Sequence, residues 1–328
     1  MKLLIIDNSS ENLNYETLEF MRQLGTSCSV FSSVKESYKK EEYYSEVNLL
    51  DPISFIETQA KYDAILVIDI SKINKDINFR IPYFYNIYRN TYDIKLENDY
   101  SFFSNKYGEL QGASAVFVND SKLNKFSNWL GLNSYFINKP VDTYFYKYAS
   151  KKFLVPKLHI GYIPSSSGVD SYRDRIIEDV WSAAKSNWVM HTSESIKCIK
   201  NKINYTFDSS FDFSQFYKNI HVLVNPEDIY HKDACKSYLD YSKEAMSQGV
   251  VSLTSNQRNI NSDYLFDKVH YFRISYSKPN EVLDTLRYVD KRRSKLSRMS
   301  YLGSKYIERY YGIKNIVQNK IQIIKNNI

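Results

Sequence analysis

The sequence predicts an α/β protein of two doubly wound domains, and three observations carry that reading. Short continuous apolar runs recur along the chain, each followed by a polar loop and a helix-compatible segment, the pattern of parallel strands buried on both faces. At 328 residues the chain exceeds what one core usually fills, so two domains of roughly 150 residues are expected, divided as 1–148 and 149–328. The clearest unit is residues 219–256, which read as apolar run, polar loop opened by Asn225-Pro226, helix stopped at Gly249, and a second apolar run at 250–253. In such a sheet ligands sit beyond the carboxyl ends of the strands, so 225–232 and 254–256 are expected to border a common crevice.

In chain order, residues 2–6 are a buried first strand that ends in the polar loop Asp7-Asn8-Ser9-Ser10. Residues 15–24 carry apolar side chains at helical spacing and close at Gly25; 28–31 resume a strand. The charged stretch 35–48 reads as a solvated helix or loop. Strands are expected at 64–68, after Pro82, at 115–118 and at 135–137, with a helix over 122–130 capped by Ser121 and stopped at Gly131. Residues 94–111 are irregular, polar and aromatic, as an active-site loop would be. Residues 149–156 read as a linker. Beyond it, strands are expected at 157–163, 188–191, 203–207 and 269–274, helices at 213–217 and 279–290, and two final helices divided by Gly312.

Composition narrows the function classes. The 30 Tyr with only 9 Gly fit a coding bias, so aromatic richness does not argue for nucleic-acid stacking. Cys28, Cys198 and Cys235 are widely spaced and encode neither a disulfide framework nor a zinc site, and a reducing setting follows. No apolar run approaches the ~20 residues needed to span a bilayer, so a cytoplasmic protein, soluble or peripheral to membrane, is expected. The net charge of +7 is uneven: residues 291–328 hold ten Lys/Arg against Glu308, while the rest holds 34 Lys/Arg against 36 Asp/Glu. On a helical projection Lys295, Arg298, Lys305 and Arg309 share one face around Leu302, and Leu296, Met299, Gly303, Tyr306 and Tyr310 form a packing stripe. The basic face is either solvated or a contact for phosphates of nucleic acid or an anionic membrane surface.

Two stretches resemble a known family. GASAVFVNDSKLNKFSNWLGLNSYFINKPVDTYFYKY (112–148) is similar to the close of the N-terminal domain in glycosyltransferase-B enzymes, whose P-N-G-V-D-x-x-F segment appears here as Lys139-Pro140-Val141-Asp142-Thr143-Tyr144-Phe145 without the Asn-Gly. EAMSQGVVSLTSN (244–256) resembles the E-A-M-A-C-G-x-P-V-V-A-S signature of nucleotide-sugar glycosyltransferases, matching at Glu244, Ala245, Met246 and Gly249. The resemblance implies two Rossmann-like domains facing a cleft, a nucleotide-sugar donor (UDP-sugar) held by the second, and transfer to an acceptor hydroxyl without a cofactor. It also implies that Glu244 accepts hydrogen bonds from the donor's ribose hydroxyls, and a two-oxygen carboxylate suits a vicinal diol. The loop of Pro164, Ser165, Ser166, Ser167 and Gly168, with Arg173 and Arg175 opening the next helix, is the candidate diphosphate cradle. His191, near a strand end, joins the donor-side candidates. The family's first acid of its E-x7-E pair is replaced by Lys236, with Asp233 the nearest substitute.

No D-x-D occurs, so leaving-group charge is expected to be met by Arg, hydroxyls and backbone N–H rather than a metal. Candidate bases at strand ends of the first domain are Asp7, Asp69 and Asp93, with Asp93 beside Arg89 preferred. The acceptor is a glycan or glycoconjugate, or alternatively DNA, because the order LDYSKEAMSQGVVSL also resembles the DNA-modifying glucosyltransferases of T-even phages. A third reading is a degenerate, non-catalytic binding subunit.

Overall fold

Alternating hydrophobic runs and helices produce two parallel sheets. The computed structural model describes residues 1–7, 14–31, 49–50, 59–68, 79–87, 110–119, 121–164, 172–192, 202–204, 212–225, 238–255, 265–274 and 279–328. Contacts divide the chain into one unit of Met1–Pro140 with Tyr311–Ile328 and a second of Val141–Tyr310.

In the first unit β1 (Leu3–Ile6), β2 (Cys28–Phe31), β3 (Leu49–Leu50), β4 (Ala64–Val67), β5 (Tyr83–Ile87), β6 (Ala115–Val118) and β7 (Ser134–Phe136) form a sheet in the order β3-β2-β1-β4-β5-β6-β7. Every pairing is parallel. All four residues of β1, β4 and β6 are buried, which is why these strands read as unbroken apolar runs rather than alternating ones. Helix α1 (Tyr15–Leu24) is capped by the Asn14 side chain, which accepts from the Glu16 N–H. Helix α2 is Ser121–Trp129.

In the second unit β8 (Leu158–Tyr162), β9 (Trp188–Thr192), β10 (Lys202–Asn204), β11 (Val222–Asn225), β12 (Val251–Ser255) and β13 (Phe272–Ile274) are ordered β10-β9-β8-β11-β12-β13, again all parallel. The order reverses between β8 and β11, the switch point at which doubly wound sheets open a crevice. Helices α3 (Tyr172–Ser182), α4 (Phe213–Lys218), α5 (Tyr238–Ser247), α6 (Pro279–Lys291) and α7 (Arg293–Tyr310) complete the unit. One face of the sheet is apolar: Leu158, Ile160, Trp188, Met190, Val222, Val224, Val251 and Leu253 pack with Ile176 and Val180 of α3, Val282 and Leu286 of α6, and Leu296 and Met299 of α7.

The expected division into 1–148 and 149–328 differs from the structure at both boundaries: the second unit starts at Val141 rather than at 149, and it stops at Tyr310. The last helix, α8 (Ile313–Asn326), packs on α1 in the first unit, burying Ile313, Ile316, Val317, Ile321 and Ile324. Lys320 sits in the same stripe, wholly enclosed, where its ammonium donates to Glu16 Oε1 and, at 2.7 Å, to Asn86 Oδ1 of β5. The basic segment 291–328 is therefore divided between the two units. Two smaller differences concern residues 269–274, where only Phe272–Ile274 is a strand, and Tyr310, which is 41% exposed rather than packed. Lys295, Arg298, Lys305 and Arg309 do face solvent. Among the described residues no helix is long and apolar enough to cross a membrane.

Candidate functional site

The carboxyl ends of β8, β9, β11 and β12 collect the polar groups of the second unit. Register places Tyr162 beside Thr192 on one side and Val224 on the other, and Asn225 beside Thr254. Strand alternation sends His159, Gly161, His191, Asn225, Ser252 and Thr254 to the face opposite the apolar core. Phe216 of α4 and Ile220 after it pack close over Gly161: a Cβ there would lie 2.4 Å from Ile220 Cδ1 and 3.1 Å from Phe216 Cζ, so both side chains would have to shift. Thr192, wholly buried at the end of β9, has a hydroxyl without a hydrogen-bond partner among the described residues.

Helix α5 lies against β11 and β12 and carries Glu244, which is 8% exposed. The Tyr217 hydroxyl, from α4, donates to Glu244 Oε2 at 3.3 Å. Burial, and then the neighbouring Glu244 carboxylate, hold the Tyr217 phenol well above its usual range, so it stays a donor at any working pH. The strand end is tied to the same helix, since the Asn225 amide donates to Ser242 Oγ at 2.9 Å. Gly249 has φ +83° and ends the helix: its N–H reaches Met246 O at 3.0 Å and the Val250 N–H reaches Ala245 O at 2.9 Å. A Cβ at 249 would sit 2.8 Å from Ala149 O, so the glycine answers both a left-handed backbone and a close contact. Further bonds fix the end of the helix, from Ser247 Oγ to Tyr146 O at 2.7 Å and from Gln248 Nε2 to Ser214 Oγ at 2.6 Å.

His191 lies in an interior histidine cluster. Its Nε2 is 2.8 Å from His159 Nδ1, and His221 Nδ1 accepts the His159 backbone N–H at 3.1 Å. Burial first, then the neighbouring histidines, push His191 down to about 4; burial, His159 and Lys151 do the same to His221. These rings are neutral near pH 7, and His191 is occupied by its neighbour while only 2% exposed.

Of the other residues expected from sequence, Arg175 is exposed in the first turn of α3. Arg173 is in the same turn, and its side chain lies outside the described residues, as do Ser165, Ser166, Ser167, Gly168, Asp233 and Lys236. In the first unit Asp7 stands at the end of β1 with no exposed surface, and its Oδ2 accepts from the Asn14 N–H at 2.8 Å and the Thr17 hydroxyl at 2.7 Å. That arrangement ties the end of β1 to the start of α1. Arg89, Asp93 and Asp69 lie outside the described residues. Sequence reasoning missed Tyr217 and the clustering of His159, His191 and His221. The histidines fall on one face through strand register, which only pairing reveals; Tyr217, on the helix before β11, carried no such signal.

No family model and no curated protein matches the sequence. Solved structures do. Anabaena HepE, in complex with UDP and glucose, superposes with a TM-score of 0.67 at 12% identity, covering 99% of this chain and 100% of that one. A glycosyltransferase from Rickettsia africae gives 0.68 at 11% over 99% and 98%. The lipopolysaccharide outer core galactosyltransferase WaaB gives 0.59 at 15% over 100% of both. Along its whole length the chain has the glycosyltransferase-B fold, two Rossmann-like α/β units, that these enzymes share.

Proposed function

We propose that the chain is a glycosyltransferase that moves a sugar from a nucleotide-diphosphate sugar, with UDP as the nucleotide, to an acceptor hydroxyl. The observation that supports it best is Glu244: a nearly buried carboxylate on the helix after the switch-point strand β11, held by the Tyr217 hydroxyl. A nearly buried carboxylate accepts hydroxyl hydrogen bonds strongly, and the vicinal diol of a ribose offers two donors to such a group. The fold is shared end to end with HepE, which has been solved with UDP and with UDP-glucose.

In this reading Ser165 to Gly168, Arg173 and Arg175 take the diphosphate and offset its charge as the sugar leaves, without a metal. Asp93, beside Arg89 in the sequence, serves as the base on the acceptor side, and the acceptor is a glycan or glycoconjugate. The chemistry takes place in the cytoplasm.

Lys236 favours a second reading. A cation where the family places an acid against the transferred sugar fits a chain that binds the nucleotide without transferring.

Calorimetric titration with UDP-glucose, and with UDP alone, tests the site. Glu244→Ala should weaken UDP binding by roughly 10- to 100-fold, the worth of one or two charge-assisted hydrogen bonds. Tyr217→Phe should weaken it by about fivefold, because the carboxylate remains but is no longer held. Unchanged affinity in Glu244→Ala would remove the assignment. Tight binding with neither hydrolysis nor transfer would select the non-catalytic reading.

A further inference from the structure

A groove on the second unit, apart from the donor-side residues, has the chemistry of an anion site beside exposed apolar side chains. It is a cavity of about 480 Å³ between the turn that precedes β13 and the corner where α6 meets α7, and it is lined by Lys268, Arg292, Lys295 and Arg298 together with Val269, Tyr288 and Leu302. Among the described residues four cations line it and no acid does. The adjoining cavity, of about 700 Å³, shares Lys268, Phe272 and Tyr288 and does contain Asp267, Glu281 and Asp284. Asp267 is engaged there, accepting the Arg273 N–H at 2.8 Å.

The turn itself is constrained. Lys268 has φ +61°, the one non-glycine residue with positive φ among those described, and its N–H bonds Tyr271 O at 2.7 Å. A left-handed lysine costs on the order of 1 kcal/mol, which is retained where its placement serves something. Here it holds a cation between two exposed apolar neighbours, Phe266 at 58% and Val269 at 42%. Arg292 also lines the groove, its guanidinium 4.6 Å from the Tyr288 ring and donating to the Tyr288 hydroxyl at 3.1 Å.

We propose that this groove docks the chain on a membrane surface by binding the phosphates of anionic phospholipids, with Phe266 and Val269 entering the interface. Charge complementarity selects an anion. The apolar pair at the tip of the turn selects a lipid surface over a nucleic acid, since exposed Phe and Val next to cations gain from an interfacial layer and gain nothing from a phosphodiester backbone. The proposal does not depend on the transferase reading, because its assay needs neither donor nor acceptor.

The full chain is sedimented with vesicles of phosphatidylcholine alone and of phosphatidylcholine containing roughly one third phosphatidylglycerol. Binding is expected only to the anionic vesicles, with a steep decline as salt rises. Lys295→Gln with Arg298→Gln should lower the partition coefficient roughly 25-fold, about fivefold per charge. Phe266→Ser with Val269→Ser should lower it about tenfold while leaving the salt dependence in place. All four positions are exposed, so circular dichroism melts of the variants should match the parent. Absence of binding to anionic vesicles at low salt, equal binding by the variants, or preferential binding of duplex DNA through the same cations would each overturn the proposal.

Discussion

Removing the Lys320 ammonium should unfold the first unit more readily than any other single change to a surface-facing sequence run would suggest. Lys320 and Glu16 both have side chains with no exposed surface, and the ammonium also bonds Asn86 Oδ1 and lies 5.3 Å from the centre of the Phe117 ring. Burial pulls the lysine's pKa down while Glu16 pulls it back up, so its charge depends on that carboxylate. Lys320→Ala removes the ammonium from the enclosed Glu16 carboxylate, which the Asn86 amide reaches only at 3.4 Å. Breaking a buried pair in this way costs roughly 3–5 kcal/mol, and the Lys320→Met change, which keeps most of the volume, should cost nearly as much because the stranded charge dominates. For a unit of this size that is a fall in Tm of roughly 10 °C. Two units need not unfold together, so the measurement is hydrogen exchange of peptides covering Leu3–Ile6 and Tyr83–Ile87 under rising urea. Lys320→Met combined with Glu16→Leu should recover at least about 2 kcal/mol of the summed single losses. Single losses below about 1 kcal/mol, or a double variant as unstable as that sum, would refute the reasoning.

Two further outcomes follow from the second unit. Gly249→Ala should destabilise it by roughly 2–4 kcal/mol, since the alanine must hold a left-handed backbone and its Cβ meets Ala149 O; a thermal melt unchanged within about 0.5 kcal/mol would contradict that. The histidine cluster should make the unit acid-sensitive. His191 and His221 are depressed from 6.5 to about 4, so the unfolded chain binds protons that the folded one refuses as pH falls. Their contribution is complete above pH 6.5 and is lost on descending through 4, a change of at most roughly 3 kcal/mol for each ring, lowered by solvent screening at the partly exposed His221. Urea midpoints measured across that range should fall with pH, and His191→Phe should flatten the slope.

The strands were legible because parallel sheets bury both faces: runs such as 64–68 and 115–118 have no polar alternative to compete with. Glycine stops were legible for a similar reason, since Gly131 and Gly249 are left-handed and few other residues are. Glu244 was singled out through its sequence context, and its burial follows from α5 lying on the sheet. Tyr217 was invisible, because a tyrosine on a short helix has no periodic signal that marks it as a partner of a residue 27 positions later. The histidines were visible one by one and not as a group, since parallel neighbours such as Gly161 and His191 are brought together by register, which no local pattern encodes.

The basic segment shows why counting charge along a chain misplaces chemistry. The ten cations count as one basic segment, but the helical stripe of Ile313, Ile316, Val317, Ile321 and Ile324 also contains position 320, so Lys320 lies in a core. A lysine at a core position demands a buried acid, and Glu16 on α1, itself buried among Thr17, Leu18 and Phe20, is that acid. Lys305 has a local partner in Glu308 at 2.6 Å. Lys295 and Arg298 instead share a groove whose charged lining, among the described residues, is cationic, beside an apolar turn. One run of charge thus serves three ends, a buried staple in the first unit, a solvated helical pair, and a face left open to anions, and burial and partners decide which.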